Sequence, residues 1–305
     1  PSTLRQGLEK SRNLMTIRIA NDIGMVKVAD YAKRLGISNN MLPVLANSLG
    51  SSESTVFKMT QAYAVLVNGG RRVDGTLIDR IQDRHGRTVY RHDTRPCDGC
   101  RAEGWFQQDE PLLPDNRAQV IDPRTAYQVV HMLEGVVERG TAMIVREAGV
   151  PLAGKTGTTN DFKDVWFVGF SPNIAMGVYM GFDTPTPMGR GETGGHNSAP
   201  IFRDFMKAAI GDQPAIPFRI PQGIRMVRVD LHSGRRADYG GAGTVLEAFK
   251  NGTEPGSGYV ARGDPERYSA PRPGRSDDDD DDGSSRRTQP GSNSSGQNGF
   301  DTGLY

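Results

Sequence analysis

Cysteine and long apolar runs are what this chain has least of. No stretch approaches the roughly 18 apolar residues of a membrane-crossing helix, and no signal peptide opens the sequence. The two cysteines, Cys97 and Cys100, are too few for an all-cysteine zinc site. A local disulfide, free thiols, or a zinc site completed by His85 and His92 all fit the sequence, the disulfide requiring an oxidising compartment. No thioredoxin-like βαβ pattern surrounds the pair, so no redox chemistry follows. An excess of one charge is also missing, with 37 Lys and Arg against 36 Asp and Glu. The basic residues are scattered and not interleaved with aromatics, which argues against a nucleic-acid partner.

Apolar residues make up only 36% of the 305 positions, but the deficit is concentrated at one end. From 252 to 305 the composition turns to Gly, Ser, Pro, Asp, Arg and Asn, with six consecutive aspartates from Asp277 to Asp282. Such a segment buries too little apolar surface to offset the entropy of ordering it, and a disordered tail is expected there. Its six Arg and ten acidic residues leave it near −4, so residues 1–251 carry about +5 of the chain's +1. The aspartate run reads as a solubilising terminus rather than a cation site.

The run Ala153-Gly154-Lys155-Thr156-Gly157-Thr158-Thr159-Asn160 admits two chemistries. With the residues before it, it fits the phosphate-loop pattern G-x-x-x-x-G-K-[ST]. With those after it, Lys155-Thr156-Gly157 is the K-T-G triplet of enzymes that acylate a serine with a D-alanyl peptide or a β-lactam. A phosphate loop opens directly into a helix whose N-terminal amides hold the anion. Here the lysine is followed by Thr, Gly and Asn, and then by two strand-like runs, Asp164 to Phe170 and Ile174 to Phe182. Joined by Ser171-Pro172-Asn173, they read as a hairpin, so Lys155 sits on a strand opening an antiparallel meander.

Helices lead the chain. Thr3 is placed to cap Leu4 to Glu9, and helical spacing continues over Leu14 to Ile23, Val26 to Leu35 and Phe57 to Val67, each stopped by glycine. Short β-like pieces follow at Thr76-Leu77-Ile78, Arg80-Ile81 and Thr88-Val89-Tyr90, then a Pro- and charge-rich surface excursion over 91–119. Asp122-Pro123 starts a long helix to Gly140, and Ala199-Pro200 starts a closing one. Trp166 and Phe167 are expected in the core. Helices, a short antiparallel sheet and a closing helix predict an α+β layered domain.

Acyl transfer through a serine needs a nucleophile, a base, a proton relay and groups that hold the substrate carboxylate. Lys155 on an exposed strand supplies the positive charge, and Gly157 lets a peptide backbone come close. Strand alternation sends Thr156 and Thr158 one way and Lys155 the other, so a twist or bulge is needed for Lys155 and Thr158 to reach one ligand together. Far upstream, Ser11-Arg12-Asn13 forms an S-x-N element in which Ser11 is a candidate proton relay and Asn13 a partner for a substrate amide. Ser11 as a plain helix cap is the competing reading. Arg139-Gly140-Thr141 and His196 are weaker candidates for the cleft, the former more simply a helix stop and the latter an exposed loop histidine.

Thr3 through Asn13 resembles the stretch leading into the second active-site motif of class A penicillin-binding proteins. Gly154 through Pro172 resembles their third motif and its following strands, continued by Gly181-Phe182-Asp183, Thr193-Gly194-Gly195 and Ala199-Pro200-Ile201-Phe202. The resemblance covers roughly residues 3–250 and implies a penicilloyl-serine transferase fold. It also implies D,D-transpeptidation of peptidoglycan stem peptides, β-lactam binding, periplasmic exposure and no cofactor or metal. In such a protein Ser11, Asn13 and Lys155 serve acylation, and Thr156, Gly157 and Thr158 hold the donor peptide. A glycosyltransferase domain and an inner-membrane anchor would lie upstream of Pro1.

The departure is as informative. The family's first motif, Ser-x-x-Lys, carries nucleophile and base, and no serine in this sequence is followed three residues later by lysine. Thr55-Val56-Phe57-Lys58 imitates it in the wrong order and reads as a helix start. A transpeptidase domain lacking its nucleophile, with a sheet left partly uncovered, is therefore expected over 1–251. A serine β-lactamase or D,D-carboxypeptidase, a non-catalytic peptidoglycan-binding module and a phosphate-loop nucleotide binder remain the alternatives.

Overall fold

Asp122 and Pro123 start the helix on which the interior is assembled. The Asp122 carboxylate accepts from the amides of Arg124 (2.9 Å) and Thr125 (3.2 Å), and proline at the first helical position gives up an amide that would have had no partner anyway. In the computed structural model, which describes residues 2–256 apart from 98, 99, 101–103, 105, 110, 112 and 239, four further α-helices precede it. They are α1 (Leu4–Glu9), α2 (Asn13–Ile23), α3 (Met25–Arg34) and α4 (Val56–Val67), with the Asp122-capped helix as α5 (Pro123–Glu138). The expected tail falls outside the described residues from 257 onward.

Ala126, Tyr127, Val130, Leu133, Val136 and Val137 recur at helical spacing along α5 and are all buried. Beside them lies a three-stranded antiparallel sheet of β3 (Ala153–Thr158), β4 (Asp164–Phe170) and β5 (Ala175–Gly181), in that order, so β3 is an edge. Alternation divides β4 between two layers. Phe167 packs against Phe202 of α6 (Ser198–Ile210), the rings tilted by 55° with centroids 4.7 Å apart. Phe170 points the other way and meets Tyr63 of α4 edge-on at 6.2 Å. Phe167, Phe170, Phe202 and Met206 have no exposed surface, and they tie the sheet between its helices. The fold is the expected α+β one.

Several expectations need correction. Trp166 is only half-buried, because it lies toward the start of β4, on the face it shares with buried Phe170, and packs against Tyr179, ring centroids 4.8 Å apart. Thr76 to Ile78 form no strand. The Thr76 hydroxyl accepts from the Ile78 amide (3.0 Å) and donates to its carbonyl (2.9 Å), a local turn that competes with pairing. The first hairpin is limited to β1 (Arg80–Gln82) and β2 (Thr88–Arg91). The hairpin of β6 (Ile224–Asp230) with β7 (Thr244–Lys250), paired over seven positions, was not among the expected elements. Arg225 and Arg228, three apart and so on opposite faces, break the apolar alternation of Ile224-Arg225-Met226-Val227-Arg228-Val229, and a 13-residue connection blurs the strand signal further. Cys97 and Cys100 are joined in a disulfide, Cα atoms 5.5 Å apart, which removes the thiolates a zinc site with His85 and His92 requires. Apolar side chains stand exposed along α2, α3 and the turn after them, among them Leu14, Val26, Leu42 and Leu49.

Removing the α5 cap tests this assembly. Asp122→Ala is expected to cost about 1 kcal/mol, seen as a lower urea midpoint at unchanged slope. An unaltered midpoint would show that the helix start does not depend on the cap.

Candidate active site

Two motifs 144 residues apart meet at the edge of the sheet. Thr3 caps α1 by accepting from the Gln6 amide at 3.3 Å, and the helix ends after six residues. The amides of Ser11 and Arg12 then turn back on the carbonyls of Leu8 (3.1 Å) and Gly7 (2.8 Å). Ser11 itself sits at φ +51°, the left-handed region that non-glycine residues seldom adopt. Strained backbone of this kind persists where its surroundings hold it. The turn places Ser11 Oγ 2.8 Å from Lys155 Nζ, which donates to it and to the Thr156 carbonyl at 3.0 Å. Asn13 opens α2 two residues later and is exposed.

β3 pairs with β4 in unbroken register over six positions, so no bulge redirects its side chains. Lys155 therefore emerges on one face, while Thr156 and Thr158 emerge on the other, as alternation requires. On that second face the Thr156 and Thr141 hydroxyls share a hydrogen bond of 2.8 Å, and Thr158 Oγ1 accepts from the Gly194 amide at 3.1 Å. A side chain at Gly194 would run into the carbonyls of Trp166 and Gly157, so only glycine lets that loop lie flat on the strand. The free edge of β3 thus has an ammonium on one flank and two hydroxyls on the other.

The ammonium is electrostatically unsatisfied. Lys155 makes no salt bridge among the described residues, and burial pulls its pKa from 10.5 down to about 8. A cation held in low dielectric by one hydroxyl and one carbonyl favours either loss of its proton or arrival of an anion. A phosphate loop does not fit the same atoms. Thr156 to Thr158 continue the strand, and β4 follows after one short turn, so no helix opens from the lysine as a phosphate loop requires.

The family model described as the penicillin binding protein transpeptidase domain matches residues 1–207. This chain belongs to that family. Penicillin-binding protein 1A of Rickettsia bellii (strain RML369-C) is 42% identical over 253 residues, which are 82% of this chain and 32% of that protein. Penicillin-binding protein 1A of Neisseria gonorrhoeae is 40% identical over 225 residues, 73% of this chain and 26% of that one. The crystal structure of penicillin-binding protein 1A from Haemophilus influenzae superposes with a TM-score of 0.69 at 28% identity, covering 85% of this chain and 41% of the other. The penicillin-binding protein PonA1 from Mycobacterium tuberculosis shares the fold, with a TM-score of 0.56 at 21% identity and coverage of 71% and 59%. The chain spans about a third of the length of the Rickettsia relatives it matches.

The structure also places the remaining candidates. Thr55 caps α4 by accepting from the Lys58 amide at 3.2 Å, so this threonine look-alike of Ser-x-x-Lys is a helix start. His196 is exposed, 3.6 Å from Glu192. Arg139 ends α5, as a plain helix stop would, yet Thr141 beyond it reaches the K-T-G strand. The direct link from Thr141 to Thr156 had no sequence signal, since a threonine after a helix-stopping glycine is common.

A charged lysine in this position opposes folding. Its folded pKa near 8 lies below the ordinary 10.5, so the penalty is complete below pH 8 and disappears as pH rises to 10.5. Lys155→Met is therefore expected to be more stable than the parent at pH 7 by about 2 kcal/mol, with the gap closing above pH 10.5. A methionine variant less stable at pH 7 would mean that the hydroxyl and carbonyl fully compensate the buried charge.

Proposed function

We propose that residues 1–251 form the acyl-donor side of a serine-type peptidoglycan D,D-transpeptidase, the region that seats the terminal carboxylate and backbone of a stem peptide. The observation that carries this reading is the 2.8 Å bond from Lys155 Nζ to Ser11 Oγ at an open strand edge. An extended peptide adds to such an edge through its backbone, as in other strand-addition complexes. Lys155 then receives the carboxylate, Thr156 and Thr158 flank the peptide from the opposite face, and Gly157 leaves room for its chain. Ser11, sharing a hydrogen bond with a lysine that titrates near 8, relays a proton toward the leaving amine. Asn13 takes the substrate amide. β-Lactams, which carry a carboxylate beside a strained amide, compete for the same seat. The reaction belongs on the periplasmic face of the inner membrane, reached through a membrane anchor upstream.

The sequence as given holds no Ser-x-x-Lys. In the chain as it stands the site therefore binds without being acylated, acting as a non-catalytic peptidoglycan-binding module. A fluorescent penicillin should leave no covalent adduct on it, and an adduct on denaturing gels would disprove this. A longer form carrying Ser-x-x-Lys ahead of Ser11 should be labelled, and Lys155→Ala should slow that acylation by about 100-fold or more. Equal labelling of the two longer forms would remove Lys155 from the donor seat.

Binding should also depend on pH with a definite sign. A carboxylate prefers the protonated lysine, and that form is lost as pH rises through about 8. The affinity for a stem-peptide carboxylate, followed by NMR titration, is expected to fall between pH 7 and pH 9. An affinity that rises or stays level would assign the carboxylate to another group.

A further inference from the structure

α1 has six residues, too few to persist as an isolated helix, and the Ser11 turn hangs from its end. Three attachments hold it to the β6–β7 hairpin. Thr3 Oγ1 donates to the Leu231 carbonyl (2.9 Å), Gln6 Nε2 meets His232 Nδ1 (3.1 Å), and Arg5 clasps Glu247 with two bonds, Nη2 to Oε1 at 2.7 Å and Nε to Oε2. Arg5 is 3% exposed and also donates to Glu9 Oε1 (3.2 Å), to the His131 carbonyl (3.1 Å) and to the His131 ring. Glu9, 2% exposed, takes a second guanidinium from Arg139 at 2.8 Å.

The far end of this network leads into the candidate site. Glu9 lies on Gly135 of α5 and on Gly140 just beyond the helix end, where any side chain would collide with it. Its carbonyl accepts from the Thr141 amide (3.2 Å), and the Thr141 hydroxyl bonds Thr156. Ser11 follows two residues after Glu9. Burial alone would raise the Glu247 carboxyl, but the bonds to Arg5 and His131 prevail and bring it down to about 2. A buried network of two guanidinium groups and two carboxylates is balanced only when complete, and removing one member leaves its partner's charge uncompensated. The match to the family model ends at residue 207, whereas the hairpin begins at 224.

We propose that the β6–β7 hairpin is a brace for the S-x-N turn, with Glu247 as the positioning residue that, through Arg5 and Glu9, keeps Ser11 against Lys155. The inference rests on reading Ser11 and Lys155 as the transpeptidase pair. Glu247 touches no substrate. It acts by fixing the short helix whose C-terminal turn carries Ser11.

The test uses the full chain and compares the parent with Glu247→Gln by amide hydrogen exchange. The amides of Ser11, Arg12 and Thr141, each bonded to a backbone carbonyl in the turn, are expected to exchange about tenfold faster in the variant, while β3–β5 amides keep their protection. Unchanged rates at the three amides, or a uniform loss of protection across the sheet, would overturn the brace. Arg5→Lys covers the case in which Glu247→Gln does not fold. A point-charge lysine retains the charge but not the fork that spans Glu247 and Glu9, so a several-fold increase confined to the same amides is expected. Parental rates in Arg5→Lys would equally overturn it. Penicillin binding by the parent, followed separately, tells the two readings apart. Absent binding with faster turn exchange removes the transpeptidase role and leaves the brace, whereas binding with unchanged exchange removes the brace alone.

Discussion

The arrangement depends on one partly buried ammonium group that makes no salt bridge among the described residues. Lys155 is held by a serine hydroxyl and its neighbour's carbonyl, and burial lowers its pKa to about 8. Such a site is costly to fold around, because a desolvated cation gains little from two neutral acceptors. The cost is consistent with a seat made for an anion. Around the lysine stand the unpaired edge of β3, the two threonine hydroxyls on its other flank, and the glycine loop lying flat on the strand.

A site assembled from distant segments needs its parts held by something outside it. The K-T-G strand is secured by a six-pair register with β4 and by the Phe167–Phe202 and Phe170–Tyr63 layers on either side. Ser11 has no such sheet behind it. Its turn depends on buried charge, on Gly135 and Gly140, which admit Glu9, and on the hairpin that supplies Glu247. Rigid strand and braced turn are two solutions to the same requirement, that donor and acceptor stay within hydrogen-bond distance before a ligand arrives.

Legibility in the sequence was uneven for physical reasons. The long helix announced itself through Asp122-Pro123 and a regular apolar stripe, and β4 and β5 through aromatic and β-branched runs, since each signal is local. The β6–β7 hairpin did not, because its arginines interrupt the alternation and its connection is long. Trp166 and Phe167 are adjacent and equally apolar, yet Phe167 is fully buried against Phe202 while Trp166, on the face it shares with buried Phe170, stays half-buried against Tyr179. The buried pairing of Arg5, Glu9 and Glu247 was invisible too. Charged residues on a short amphipathic helix ordinarily face solvent, and nothing local reveals a partner 242 residues away.

The amino-acid sequence determined by itself the family, the α+β class, and the residue types available at each motif. These follow from short-range patterns: turn residues, periodicity, and triplets whose chemistry is intrinsic to their side chains. Only the tertiary structure decided that Ser11 lies 2.8 Å from Lys155, that Thr156 and Thr158 stand across the strand from it, and that a C-terminal hairpin grips the first helix. Distances between segments far apart in the chain are set by packing and buried charge, and neither is written in any local stretch of residues.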